Sequence, residues 1–398
     1  MAEFRVIETP EAFDDAVEAL AAGEGPIAVD AERASGFRYS QRAYLIQMYR
    51  RGSGTFLFDP PTIPDFSALE HTIMREEWVL HAASQDLACL REVGLDPTRI
   101  FDTELAARLL GMPRVGLASV AEELLGVKLA KEHSAADWST RPLPESWLTY
   151  AALDVELLVD IRDRLDERLT EAHKAELATQ EFEAVLHREA KPAAAEPWRR
   201  LSGIHSIRHA RNLAVARALW LARDARAAEI DVAPGRLVPD ASIIAAAKAL
   251  PRSKRGLAEL REFTGRASRS EIDRWWSAIE EGLATEDLPA VRVPSDAPPP
   301  PRAWAARHPD ADARLRLAKT AVGEQAERMQ MPVENLLTPD HLRRVAWKPP
   351  ADASAAGIRE ALAALGARPW QLDATAQIIA DAFVEAAQSV EDASAAAS

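Results

Sequence analysis

Short apolar runs bounded by turn residues dominate the first part of the chain, and each reads as a buried strand. Residues 27–29 (Ile-Ala-Val) form one run, 43–49 (Ala-Tyr-Leu-Ile-Gln-Met-Tyr) a second, and 55–59 (Thr-Phe-Leu-Phe-Asp) a third that Pro60 and Pro61 close. Their close spacing, with Gly52 and Gly54 between the second and third, predicts an antiparallel meander. The pattern then changes. Residues 78–81 read as a strand and 85–93 as a helix stopped by Gly94; residues 100–102 read as a strand running into a helix over 104–110, with Gly111 as its stop. Alternating strands and helices favour parallel pairing. The expectation is an α/β domain with a mixed sheet and helices packed on it.

Beyond residue 144 the periodicity is helical throughout. One pattern covers 144–190 with a break near Thr170, and 191–197 (Lys-Pro-Ala-Ala-Ala-Glu-Pro) reads as a linker. From 198 to 282 every strong signal is helical, interrupted by Pro234-Gly235, Pro239 and Pro251. The proline-rich stretch 288–301 reads as an extended, solvated linker, 302–387 as helical, and 389–398 as a disordered tail. The predicted organisation is therefore an α/β domain over 1–190, two all-α domains over 198–283 and 302–388, and the tail. The two helical regions share a weak internal repeat: Leu237-Val-Pro-Asp240 lines up with Leu337-Thr-Pro-Asp340, each after an Ala/Leu/Arg-rich helix and a proline, Pro234 or Pro332. In both, Pro-Asp is expected to start a helix with Asp near the cap. A chance likeness between two generic helix starts is the alternative.

Composition narrows the class. A chain of 398 residues predicts two or three domains, and 47% hydrophobic content is ordinary for a globular protein. No apolar stretch approaches the ~20 residues that span a bilayer. The start, Met-Ala-Glu-Phe-Arg-Val-Ile-Glu, lacks the basic region and apolar core of a signal peptide. The single cysteine, Cys89, cannot form an internal disulfide, and its apolar setting indicates an inert core thiol. These features predict a soluble cytoplasmic protein with no membrane partner.

The net charge of -14 argues at first against a nucleic-acid partner, but its distribution is uneven. Residues 1–190 carry 19 Lys+Arg against 35 Asp+Glu, whereas 191–270 carry 16 against 7. An acidic module is joined to a basic, Arg-rich one, and clustered Arg is the usual footprint of phosphate binding. A solvated surface is the other reading. Candidate phosphate contacts are Arg208, Arg211, Lys254 and Arg255, with Lys254-Arg255-Gly256 expected in a helix–helix loop whose N–H groups could assist. Trp275 and Trp276 are expected in the core rather than as a base-stacking platform.

The acidic module holds the candidate chemistry. Asp30 and Glu32 end the run Pro26-Ile-Ala-Val-Asp-Ala-Glu, and on a strand they share a face. Asp86 follows the apolar run Trp78-Val-Leu-His-Ala-Ala-Ser-Gln, at a strand end that opens onto a sheet edge. Tyr150 and Asp154 are four apart on one helical face. Carboxylates on apolar segments are costly to bury and repel one another unless a cation intervenes. Hard oxygen donors select Mg²⁺ or Mn²⁺, and a pair of such ions ~3.5–4 Å apart stabilises the attacking and leaving oxygens of phosphodiester cleavage.

These segments resemble the three motifs of the DEDD superfamily of 3′→5′ exonucleases. The first is matched by Val29-Asp30-Ala31-Glu32 with the downstream Tyr44-Leu-Ile-Gln-Met, the second by His81-Ala-Ala-Ser-Gln-Asp86-Leu, and the third by Tyr150-Ala-Ala-Leu-Asp154-Val. Phe101-Asp102-Thr103 and the stretch from Ala136 to Leu143 match as well. In the histidine branch a general base stands five residues before the last Asp; Thr149 occupies that place here, and Tyr150 stands at the position of the tyrosine branch. The specific resemblance is to the ribonuclease D family, and it covers most of the chain. It implies a ribonuclease-H-like exonuclease domain, then an HRDC domain (the helicase-and-ribonuclease-D C-terminal module) and a second, HRDC-like helical domain. It also implies hydrolysis of RNA from the 3′ end to nucleoside 5′-monophosphates, on tRNA precursors or other structured RNA; a monomer is expected. Two divalent cations, Mg²⁺ or Mn²⁺, would be held by Asp30, Glu32, Asp86 and Asp154. Tyr150 would position the attacking water, because a phenol of ordinary pKa near 10 is a poor base at neutral pH.

Other residues invite roles. His81 reads as a strand-end hydrogen-bonding histidine and Asp102 as a helix cap, while Trp138 and Arg141 either touch substrate or serve packing and an ion pair. A DNA exonuclease on the same fold and a non-catalytic RNA-binding scaffold are the competing functional readings.

Overall fold

The apolar runs that precede Asp30 and Asp86 become neighbouring strands of one sheet, which brings two sequence-distant acidic segments to the same sheet end. The computed structural model describes residues 4–129, 135–189, 192, 194–263, 265–293 and 296–396. Six strands, β1 (Phe4–Ile7), β2 (Glu24–Arg33), β3 (Ala43–Arg51), β4 (Gly54–Phe58), β5 (Trp78–Leu80) and β6 (Ile100–Asp102), lie in the order β1-β4-β3-β2-β5-β6. Strands β2, β3 and β4 form the expected antiparallel meander, while β5 and β6 add in parallel beside β2. The mixed sheet follows from the change of pattern after residue 77.

Helices α1 (Pro10–Ala22), α2 (Ser67–Ile73), α3 (Leu87–Glu92), α4 (Thr103–Leu109), α5 (Leu117–Leu125), α6 (Glu145–Glu156), α7 (Leu158–Glu171) and α8 (Ala175–Leu186) complete this domain. Strand β1 and helix α1 were not among the expected elements, although Thr9-Pro10 is a helix-start signal: Thr9 Oγ1 accepts from the Ala12 N–H and Pro10 occupies the first turn. Buried Phe13, Ala16 and Leu20 form the packed face of α1, with Phe13 edge-on to Phe58 and Phe66. The helical stretch after residue 144 breaks at Leu157 and again over 172–174, rather than once near Thr170. Helix α6 lies across β2, β3 and β4, its Ala151 and Ala152 packed with Leu45 and Leu57. Small residues let the helix backbone approach the sheet closely, and that approach carries Tyr150 and Asp154 to the β2 carboxylates.

The second unit has its own core around Trp198, Leu219, Phe263 and the fully buried Trp275. It contains α9 (Ala210–Ile230), α10 (Pro234–Leu237), α11 (Asp240–Ala249), α12 (Lys254–Ala258), α13 (Arg266–Ser270) and α14 (Ile272–Ala284). The third holds α15 (Trp304–Arg307), α16 (Pro309–Arg328), α17 (Val333–Leu336), α18 (Pro339–Trp347), α19 (Ala355–Ala364) and α20 (Pro369–Ala396). The suspected repeat appears as a shared order, a long helix, a single turn and a second helix, in α9-α10-α11 and α16-α17-α18. In both, Pro-Asp starts a helix as expected, with Asp240 and Asp340 in the first turn; their carboxylates pair with Arg223 on α9 and with Arg343 and Arg344. Helix α20 runs to Ala396, into the segment expected to be a disordered tail; residues 397 and 398 lie outside the described residues, as do 191, 193, 294 and 295 of the two linkers.

The third unit shares a continuous apolar core with the sheet domain. Helix α8 forms the join. Buried Glu181 accepts from both the Arg368 guanidinium (2.5 and 2.6 Å) and Trp370 Nε1 (2.9 Å). Lys174 Nζ donates to the carbonyls of Leu109 and Gln330, at the C-terminal ends of α4 and α16, where a positive charge is favourable.

Candidate active site

Strand β2 presents Asp30 and Glu32 on one face at its C-terminal end, opposite Gln47 and Leu45 of β3. The alternation of the pleat places both carboxylates under α6, where Asp154 comes down from the helix. Carboxylate oxygens of Asp30, Glu32 and Asp154 lie within 4.8 Å of one another. Asp86 occupies the start of α3 but makes no capping bond; its side chain instead faces the same cleft. The cleft has a volume of about 590 Å³ and is lined by Asp30, Glu32, Asp86, Tyr150 and Asp154 together with Arg33. The structure thus brings together all five residues singled out by spacing.

The turn carrying Asp86 is held by Asp102. Its carboxylate accepts from the backbone N–H of Ala82 (3.1 Å) and Ala83 (2.9 Å), and from Glu104 and Leu105 at the start of α4. Ala82 sits in the left-handed region at φ 62, a strained conformation for a residue with a Cβ, and these bonds hold it there. The cap expected of Asp102 is present, and it also fixes the approach to Asp86. His81 Nδ1 lies 2.9 Å from Thr103 Oγ1, and burial pushes its pKa down to about 4, so the ring is neutral at neutral pH. Burial likewise pushes the Cys89 thiol up to about 12, which leaves it inert.

The electrostatics show what the cleft attracts. Burial raises Asp30, Glu32, Asp86 and Asp154 above the ordinary carboxylate range, and for Glu32, Asp86 and Asp154 the charge of neighbouring carboxylates adds to it. Glu32 reaches about 9, Asp86 about 8 and Asp154 about 7. Four buried or half-buried carboxyls with raised affinity for protons make a candidate cation site, and an all-oxygen donor set suits Mg²⁺ or Mn²⁺. The Tyr150 hydroxyl is hydrogen-bonded to the Asp154 carboxylate, and burial followed by the Asp154 charge pushes the phenol well above its usual range. It stays protonated at neutral pH.

The remaining sequence candidates separate into core and surface. Trp138 is fully buried and packs edge-on to Trp147 at 5.3 Å. Arg141 donates to both Asp59 oxygens and to the Tyr44 carbonyl, so packing and an ion pair account for both residues. Arg211 caps the end of α14 through the Gly282 and Thr285 carbonyls. Lys254 pairs with Asp273 and Arg255 with Glu259, and both start helix α12 instead of lying in a loop. Arg208 is exposed and has no partner among the described residues; it lines a groove of about 500 Å³ with Arg199, His205 and Arg292.

The helical units are not remote from the cleft. The loop after Glu32, whose Ser35 lines the cleft, is bound by the second unit. Asp231 accepts from the Ser40 N–H and the Tyr44 hydroxyl, Asp224 from the Tyr39 hydroxyl, and Arg236 donates to the Gly36 carbonyl while stacking on Phe37. Sequence inspection missed Arg33, although its place directly after the Asp-Ala-Glu motif was a usable signal: a cation next to paired acids belongs to their electrostatics.

Comparison with known proteins agrees with this geometry. A family described as 3'-5' exonuclease matches residues 4–170, the HRDC domain matches 212–279, and a 3' to 5' exonuclease C-terminal domain matches 297–383. Ribonuclease D of Escherichia coli is 33% identical over 258 residues, which is 63% of this chain and 67% of the relative. The crystal structure of Escherichia coli RNase D, an exoribonuclease involved in structured RNA processing, aligns with a TM-score of 0.67 at 26% identity, covering 91% of this chain and 98% of that one. A crystal structure of a Bifidobacterium adolescentis protein aligns with a TM-score of 0.86 at 37% identity, over 95% of this chain and 96% of the other. Sequence, three-unit architecture and the convergence of acids beneath α6 agree, and the chain belongs to the ribonuclease D family of 3′→5′ exonucleases.

Proposed function

We propose that this protein is an exoribonuclease that removes nucleotides from RNA 3′ ends, with tRNA precursors or other structured RNA as substrates. The observation that carries the reading is the convergence of Asp30, Glu32, Asp86 and Asp154 with Tyr150 in one cleft. The four carboxylates would hold two divalent cations, Mg²⁺ or Mn²⁺, which when bound supply charge stabilisation for the attacking and leaving oxygens. Tyr150, protonated and hydrogen-bonded to Asp154, orients the attacking water rather than taking its proton. The water gives up a proton to solvent as its oxygen attacks phosphorus, the bond from phosphorus to the 3′-oxygen breaks, that oxygen takes up a proton from solvent, and a nucleoside 5′-monophosphate leaves. The two helical units grip the rest of the RNA.

Affinity for RNA over DNA is supported by the ribonuclease D relatives, and a role for the second unit by its exposed cations. Arg200, Arg208, Lys248, Arg252, Arg261 and Arg266 are exposed and have no partner among the described residues, which leaves them available for phosphate. Among the described residues no helix is long and apolar enough to cross a membrane. Matched 3′-hydroxyl RNA and DNA oligomers, with a 3′-phosphate RNA control, incubated in Mg²⁺ and in Mn²⁺ test the reading. Release of 5′-mononucleotides from RNA several times faster than from DNA is expected; equal or faster release from DNA would overturn the RNA assignment.

A further inference from the structure

The cleft must receive a polyanion, yet its described lining contains one cationic side chain, Arg33. His81, also in the lining, is neutral at neutral pH. Arg33 follows Glu32 directly, and in a regular strand the two would point to opposite faces. The β2–β3 register shifts between Glu32 and Arg33, and such an irregularity re-aims a side chain. As a result Arg33 faces the same cleft as the acids. Its guanidinium stands 3.7 Å from Asp86 Oδ1, beyond hydrogen-bond reach, and its side chain is 27% exposed. No hydrogen-bonded partner holds it among the described residues. An Arg with its donors free, in a site for phosphodiesters, is unusual unless a ligand completes it.

We propose that Arg33 binds a phosphate oxygen of the substrate's terminal nucleotide. The proposal rests on the nuclease reading of the cleft. Charge supports it. The four candidate metal ligands, when ionised, cancel two divalent cations, and Glu104, the fifth acid of the described lining, pairs with Arg108, so Arg33 is the side-chain cation left to meet a phosphate. Before the cations arrive, Arg33 partly neutralises Asp86; once Asp86 shares its charge with a cation, the attraction on the guanidinium weakens and its fork can turn to a phosphate. The residue thereby couples filling of the acidic site to capture of substrate.

The test is calorimetric titration of adenosine 5′-monophosphate into the full-length protein in saturating Mn²⁺, beside titration of Mn²⁺ alone, for the wild type, Arg33→Gln and Arg33→Lys. Arg33→Gln should weaken mononucleotide binding by roughly tenfold or more, the cost of a charge-assisted hydrogen bond, and Arg33→Lys by less. Mn²⁺ affinity should be unchanged or tighter in Arg33→Gln, since a competing cation is gone. Unchanged mononucleotide affinity in Arg33→Gln would overturn the proposal, and so would a parallel loss of Mn²⁺ affinity, which would make Arg33 a support for Asp86 only. Failure of the ribonuclease reading shows separately, as a wild-type protein that binds the mononucleotide but releases none from RNA.

Discussion

Asp30 on β2 faces Gln47 on β3 across an antiparallel pair, and the Gln47 amide is fully buried with no hydrogen-bond partner for its nitrogen or its oxygen. Directly opposite residues share a sheet face, so this unpaired amide lies next to a metal-site candidate. An unsatisfied buried amide costs about 1–3 kcal/mol, which an apolar side chain of similar size removes. Gln47→Met should therefore raise stability in chelator by about 1 kcal/mol, read from urea unfolding. A loss of stability of that size would show that the amide is satisfied in solution.

Metal and pH act on stability through the same carboxylates. In an unfolded chain these groups ionise near 4. In the folded protein Glu32, Asp86 and Asp154 keep protons to about 9, 8 and 7. Between those limits the folded state binds more protons than the unfolded one, so stability without metal falls as pH rises from about 4 toward 9. Bound cations displace those protons, so Mn²⁺ should raise Tm more at pH 8 than at pH 6. A chelated protein whose Tm climbs over that interval would contradict the assignment.

On the proposed reading Tyr150 orients water rather than holding a cation. Tyr150→Phe should lower kcat by roughly tenfold to a hundredfold, in the lower range for a positioned catalytic group, while Mn²⁺ affinity stays within about threefold. Parallel measurement of single-turnover rates and Mn²⁺ titrations separates the two effects. Loss of Mn²⁺ binding in the variant would make the tyrosine a structural support of Asp154.

The sheet domain and the third unit are joined through Glu181, which is only 6% exposed. Arg368→Met leaves that carboxylate buried without its partner and should cost about 3–5 kcal/mol, whereas adding Glu181→Met should recover most of the loss. Differential scanning calorimetry of the single and double variants measures both. An additive double variant would mean that the pair contributes no coupling.

Much of the site was legible because strand and helix periodicity fix side-chain direction: Asp30 with Glu32, and Tyr150 with Asp154, needed only a pleat and a helical turn to converge. Asp86 was legible from its place after an apolar strand. Tertiary partners were not. Nothing in the spacing of Arg211, Lys254 and Arg255 reveals that a helix end, Asp273 and Glu259 engage them. Strand alternation alone would also turn Arg33 away from the acids, since an irregularity in strand pairing cannot be read from one strand. Pro-Asp marked the starts of α11 and α18, but the arginines that pair with Asp240 and Asp340 could not be read from it. Strand β1 was too short to show a pattern, and it forms because β4 offers it a parallel edge.

The most direct measurement compares wild type with Asp154→Asn for release of 5′-mononucleotides from a 3′-hydroxyl RNA in Mn²⁺, with RNA binding followed on the same preparations. The carboxamide keeps the size of the side chain and removes its charge, so the fold and the helical grip on RNA should survive. Release should fall by a factor of about a thousand or more while RNA affinity stays within about threefold. Turnover equal to wild type in the pure variant would contradict a metal-dependent exonuclease site built on these acids.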